Sequence, residues 1–139
     1  MNSLSNNSVR GLVEVFRDEG PVLVVYLFGS KSRGEQTSQS DTDIAVLLSK
    51  LPDKLLDFYL RLIDKLSKVL GDSIDLIFLN TVAPLLQHQV IKYGRIIYCR
   101  DEKARVEFEA RAEKEYMDFN RSRERYNEAL IEEVSTWKG

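Results

Sequence analysis

Residues 22–43 read VLVVYLFGSKSRGEQTSQSDTD, and this stretch decides the fold. Val22 to Phe28 is short, apolar and rich in β-branched and aromatic residues, which predicts a buried strand. Gly29 and Ser30 follow directly. Residues 31–40 are polar, with Gly34 and the serines 32, 38 and 40, which predicts a loop with room for one helical turn. Asp41, Thr42 and Asp43 then open a second strand that becomes apolar towards residue 48.

Side chains two apart in a strand point to the same face. Asp41 and Asp43 can therefore present both carboxylates to one point. Converging carboxylates repel, and a hard divalent cation relieves that; magnesium takes carboxylate oxygens and shares its other positions with water and phosphates. Gly29 has no Cβ and lets the backbone approach a phosphate closely. The Ser30 hydroxyl and nearby backbone N–H groups can donate to phosphate oxygens. Lys31 and Arg33 add positive charge beside them, and Gly34 allows a second tight turn. Gly-Ser or Asp-x-Asp alone is ordinary turn chemistry. Their order along two strands is what points to a phosphate and metal site.

Upstream, Val9, Leu12, Val13 and Phe16 recur at helical spacing, with Asn7 or Ser8 as cap and Glu19-Gly20-Pro21 as stop. Downstream, residues 53–70 carry a helical stripe of Leu55, Tyr59, Leu62, Leu66 and Leu70, with Asp53 as the expected cap and Gly71 as the stop. Residues 74–79 form a third strand. Its second residue is Asp75, whose face is otherwise apolar through Ile77 and Leu79. A carboxylate there needs compensation, and a metal supplies it. With three aspartates the site can hold one or two magnesium ions. A helix at 82–93, a short strand at 95–99 and a long helix at 101–134 complete the order.

The fold class expected is α/β (α+β): a small mixed sheet of about four strands with helices packed on one face. The domain reading is a single unit, 1–139, with a core at about 9–100 and a helical extension at about 101–137. The extension keeps an apolar stripe through Tyr126, Leu130, Val134 and Trp137, which suggests docking to a partner protein or a second copy. His88, set between glutamines, finds no acid–base partner in the sequence and reads as structural. Tyr93, Tyr98, Tyr116, Tyr126 and Cys99 read as packing or interface residues.

Composition narrows the classes. At 139 residues, with 43% hydrophobic and 30% charged, the chain has an ordinary globular balance. A net charge of -2 argues against non-specific nucleic-acid binding, which runs on an excess of Lys and Arg. The arginines 121, 123 and 125 stand among glutamates and are a weak signal for RNA. A single cysteine forms no internal disulfide. The first residues lack the basic start and apolar run of a signal peptide, and the apolar stretch 22–28 is too short to span a bilayer. The expectation is a cytoplasmic protein with no membrane partner.

Gly29-Ser30, ten residues, then Asp41-x-Asp43 resembles the Gly-Ser-x10-Asp-x-Asp signature of the DNA polymerase β-like nucleotidyltransferase superfamily. Residues 74–80, 89–98 and 108–119 further resemble its minimal nucleotidyltransferases, the MntA-type antitoxins of HEPN/MNT toxin–antitoxin pairs; the likeness covers roughly residues 9–120. That resemblance implies a mixed sheet flanked by helices, ATP as donor and magnesium as cofactor. It implies transfer of AMP to a tyrosine hydroxyl of a partner HEPN ribonuclease toxin, and a hetero-oligomer with that toxin. By position, Gly29 and Ser30 would hold the triphosphate. Asp41 and Asp43 would bind metal, and Asp75 would complete the metal site and help deprotonate the hydroxyl. Ser32 stands where relatives often carry alanine. Two other readings are an antitoxin that acts by binding alone and a transferase acting on a small molecule. The latter would need an acceptor pocket, for which the sequence shows no second domain.

Overall fold

The structure, a computed structural model, describes residues 5–29, 42–71 and 73–136. Helix α1 (Asn6–Arg17) leads into strand β1 (Val22–Phe28). Strand β2 (Thr42–Leu48), helix α2 (Leu55–Leu70) and strand β3 (Ile74–Phe78) follow. A 3-10 turn (Leu79–Thr81), helix α3 (Pro84–Tyr93), strand β4 (Arg95–Cys99) and helix α4 (Glu102–Thr136) end the chain's regular structure.

The strands form one sheet in the order β3-β2-β1-β4. β1 runs antiparallel to both β2 and β4, while β2 and β3 are parallel, joined through α2. The sheet is therefore mixed, as expected. The expectation of helices on one face is corrected: they cover both. Leu12 and Phe16 of α1 pack with Phe58, Leu62 and Leu66 of α2 against Val25, Leu27, Ile44 and Val46. Val90 of α3 with Phe108 and Ala112 of α4 packs against Val24, Tyr26, Ala45 and Leu47 on the other side. The all-apolar run of β1 and β2 required this, since a strand facing solvent on one side would alternate. Each buried side chain of this size contributes about 1.5–3 kcal/mol. A register shift between Val22 and Val24 explains why Val22 belongs to the first cluster while Val24 already belongs to the second.

Several boundaries move from the sequence expectation. The α1 cap is Ser5, whose hydroxyl oxygen accepts from Ser8 N at 3.2 Å, in place of Asn7 or Ser8. Asp53 does not cap α2. Lys54 occupies that position without a capping bond, and Asp57 provides the first-turn negative charge that suits a helix N-terminus. β3 stops at Phe78 because Leu79 enters the 3-10 turn, and α3 starts at Pro84, where a missing N–H costs nothing. Gly71 ends α2 at φ 70, as the stop residue.

Three polar devices fix the layers. Glu19 is buried just after α1 and accepts from Lys65 Nζ at 2.6 Å and Arg61 Nη2 at 3.3 Å, pinning α1 to α2. Arg100, past β4, donates to the carbonyls of Val22, Arg17 and Glu19 at 2.9, 2.9 and 3.2 Å. On the opposite face, the buried Tyr26 hydroxyl donates to Glu109 Oε2 at 2.6 Å, and Arg105 holds the other carboxylate oxygen at 2.9 Å.

Burial first, and then the Glu109 carboxylate, push the Tyr26 hydroxyl above its ordinary value of 10.0. The folded chain therefore keeps this proton where the unfolded chain loses it. The associated stability is complete below the unfolded value, about pH 10, and declines as pH rises beyond it. Thermal melts followed by circular dichroism should show the wild-type melting temperature dropping more steeply above about pH 10 than that of Tyr26→Phe.

Candidate active site

Three strands end together on one edge of the sheet. Phe28 is in register with Asp43 across β1 and β2, and Asp43 is in register with Asp75 across β2 and β3. Paired residues on neighbouring strands point to the same face. That face is the one covered further along by α3 and α4, since Ala45 and Leu47 lie two and four residues on from Asp43, and Ile77 two on from Asp75, all on the same side. Asp43 is half-buried and Asp75 is exposed. The sheet thus passes from an apolar floor at Tyr26 and Ala45 to two acidic side chains at its rim. Parallel strands lie about 4.8 Å apart, so these two carboxylates are neighbours. Like charges directly opposite one another destabilise a sheet, and this pair invites a cation.

Gly29 closes the site from β1. Its φ is +77°, the left-handed region where a side chain is strained. A Cβ built there would overlap Asp43 Oδ2 and lie 2.9 Å from its Cγ. The glycine is therefore required twice: once for the turn that leaves β1, once for the space Asp43 occupies. This gives a physical reason for glycine here beyond access to a phosphate.

Ser30, Lys31, Arg33 and Asp41 lie outside the described residues, so of the expected site the structure places Gly29, Asp43 and Asp75. It brings those three to one corner. Among the described residues no group of three or more metal-ligating side chains occurs. Asp43 and Asp75 contribute two carboxylates, a hard oxygen set of the kind magnesium takes.

His88 is not without a partner. Its Nδ1 lies 2.7 Å from Glu113 Oε2, and its ring stacks on Tyr116 at 3.9 Å. Glu113 and Tyr116 sit one turn apart on α4, a spacing visible in the sequence only once α3 is known to lie against α4. The cluster joins two helices, which agrees with a structural histidine. Cys99 is half-buried against the same cluster as Tyr26, and burial pushes its thiol up. The Tyr26–Glu109–Arg105 network went unread, because a tyrosine inside an apolar strand pattern carries no signal for its hydroxyl's partner.

Residues 11–103 match the polymerase beta nucleotidyltransferase family. The chain belongs to that family. This nucleotidyltransferase is 34% identical over 99 residues to the protein adenylyltransferase MntA of Shewanella oneidensis, an alignment spanning 70% of this chain and 68% of the relative. It also resembles a chain in a crystal structure of a toxin–antitoxin with AMP-PNP, with a TM-score of 0.73 and 27% identity over 91% of this chain and 98% of the other. A structure of the tri-AMPylated Shewanella oneidensis HEPN toxin in complex with its MNT antitoxin is similar, with a TM-score of 0.67 and 25% identity over 92% and 96%. The two structural likenesses extend across more than nine-tenths of the nucleotidyltransferase and of the solved chains. Among the described residues no helix is long and apolar enough to cross a membrane.

Gly29→Ala tests the corner. The added methyl group must displace the Asp43 carboxylate and strain the turn by about 1–2 kcal/mol. Urea unfolding should show a loss of that size, while nucleotidyl transfer falls by about a hundredfold, since a misplacement of about 1 Å costs that much.

Proposed function

We propose that this nucleotidyltransferase is the antitoxin of a toxin–antitoxin pair and transfers AMP from ATP to a tyrosine hydroxyl of a partner HEPN ribonuclease, neutralising it. The observation that carries this reading is the Asp43–Asp75 register pair beside Gly29 in a chain 34% identical to a protein adenylyltransferase. The similarity to chains solved with AMP-PNP and with an AMPylated HEPN toxin supports the donor and the acceptor.

In this reading Gly29 and Ser30 hold the triphosphate, with Lys31 and Arg33 as nearby positive charge. Asp41, Asp43 and Asp75 hold one or two magnesium ions; when bound, the metal neutralises phosphate charge and acidifies the incoming hydroxyl. The tyrosine oxygen forms a bond to the α-phosphorus as the bond to the β-phosphate oxygen breaks, and pyrophosphate leaves. Asp75, the more exposed carboxylate of the register pair, accepts the phenolic proton. Asp43, packed against Gly29, keeps its carboxylate in place, and a preorganised ligand needs no reorganisation in the transition state. The acceptor comes from the partner, and the work of the chain is to hold donor and acceptor in line. The setting expected is the cytoplasm, where nucleotide and ribonuclease meet.

Mass spectrometry of the candidate HEPN partner, incubated with this protein, ATP and magnesium, tests the proposal. AMP-sized additions on a partner tyrosine are expected with the wild type and should be absent with Asp41→Asn/Asp43→Asn. A stable complex and full inhibition of the ribonuclease without any addition would instead favour an antitoxin that acts by binding alone.

A further inference from the structure

Helix α4 runs past the corner that carries the aspartates. Its direction is fixed by contacts with β1. Arg100 N donates to Leu23 O at 2.7 Å, so α4 begins beside the start of β1, at the end away from the corner. Further on, Glu109 accepts from the Tyr26 hydroxyl, so α4 advances in the same direction as β1. Phe28, in register with Asp43, lies two residues beyond Tyr26, about 7 Å along the strand. The helix covers that distance in about five residues and then continues for about 30 Å, to Thr136. Helix α3 agrees: it is followed by Arg95, in register with Leu27, so it too ends at the corner, and its His88 stacks on Tyr116 of α4.

The side of α4 that faces the sheet carries the buried Phe108 and Ala112. Tyr116, Phe119, Arg123, Tyr126, Leu130 and Val134 continue that side outward at spacings of three and four. Ile131 widens it beside Leu130 and Val134 at the outer end. Tyr126 is 67% exposed, Leu130 45%, Ile131 64% and Val134 65%. A stretch of helix like this is marginal in water by itself, since most helical stability comes from covering an apolar face.

What covers this side follows from where it stands. Asp43 and Asp75 rise from the rim of the face that α3 and α4 cover. Behind the rim that face is filled by the two helices, so an acceptor hydroxyl reaches the carboxylates from beyond the rim, alongside the outer half of α4. We infer that the exposed side of α4 from Phe119 to Val134 is the docking surface for the protein acceptor, which lays an apolar helical stripe along it with a carboxylate opposite Arg123. Arg123 is the one charged residue among the six that continue the sheet-facing side. Its guanidinium donates to Asn120 Oδ1 at 2.7 Å and lies over the Phe119 ring, which holds it along the helix. Covered by a partner, that cation needs an anion opposite it. A small-molecule acceptor at the corner would leave the outer half of α4 bare, and a second copy seated there would stand where the acceptor enters. The inference rests on the acceptor being a partner protein, as proposed above, and adds the surface that holds it. Docking affinity is then gathered on the outer turns of α4, apart from the reacting atoms.

Calorimetry of the full chain against the candidate HEPN ribonuclease, without nucleotide, tests this. Tyr126→Glu/Leu130→Glu should raise the dissociation constant at least about thirtyfold. Arg123→Glu should raise it about tenfold, and Arg125→Glu, on the opposite side of the helix, should leave it unchanged. In AMP transfer, Tyr126→Glu/Leu130→Glu should raise KM for the ribonuclease while kcat and KM for ATP stay within about twofold of wild type. Binding of AMP-PNP at wild-type strength by each variant would show that the body is intact. Unchanged affinity of Tyr126→Glu/Leu130→Glu for the ribonuclease overturns the inference. So does sedimentation in which the wild type alone forms a dimer that this variant abolishes, which would give the surface to a second copy. Lost binding in this variant, with no AMP addition by the wild type, would uphold the docking surface and overturn the transfer reading alone.

Discussion

Strand β2 is hydrogen-bonded on both sides, antiparallel to β1 and parallel to β3, and the molecule is organised by those two registers. The antiparallel register sets Asp43 beside Phe28, one residue before Gly29. The parallel register sets Asp43 beside Asp75. A slip of one residue in either ladder would turn an aspartate into the core and expose an isoleucine or leucine. The two apolar clusters forbid that slip, because Ile44, Val46 and Leu48 are buried on one face and Ala45 and Leu47 on the other. The site's geometry is thus enforced by residues that take no part in its chemistry. Asn80 finishes the end of β2 far from the aspartates, bonding both the N–H and the C=O of Leu48 at 2.9 and 2.8 Å.

What holds the layers together is mainly apolar area. A buried Phe16 or Leu62 contributes about 1.5–3 kcal/mol, whereas an exposed helix pair such as Lys68–Asp64 contributes at most about 1 kcal/mol. The polar contacts that matter are the ones that serve buried groups. Glu19 would be costly to bury without Lys65 and Arg61, and Arg100 satisfies carbonyls where α1 hands over to β1. These contacts choose the arrangement of helices more than they add to stability.

Much of this is legible in the sequence. Runs such as 22–28 and 74–78 announced strands by composition, and Gly71 announced the end of α2. The spacing of Gly29, Asp43 and Asp75 along three strand ends suggested a shared corner. What was hidden depends on distance in sequence. Helices on both faces follow from β1 and β2 being apolar on each side, a clue that a count of helices does not reveal. Ser5 as cap, Lys54 at the start of α2 and the bulge near Leu23 are local backbone choices that several polar residues satisfy about equally well. Tyr26–Glu109 and His88–Glu113 join residues 83 and 25 positions apart, and no local pattern encodes such pairs.

The position of β4 has a consequence for how the chain comes to be folded during synthesis. β1 needs β4 on its outer side, yet Tyr98 is paired with Val25 from far along the chain. Until β4 has been made, β1 is an apolar strand with an open edge, beside a face that α4 has yet to cover. Non-local pairing of this kind is slow, and open apolar edges are where nascent chains stick to one another. α1, α2 and the first three strands can already bury their common cluster at that stage, so only half of the sheet is exposed while the rest is made. β4 and α4, which follow the first three strands along the chain, therefore act as the seal on a half-covered sheet.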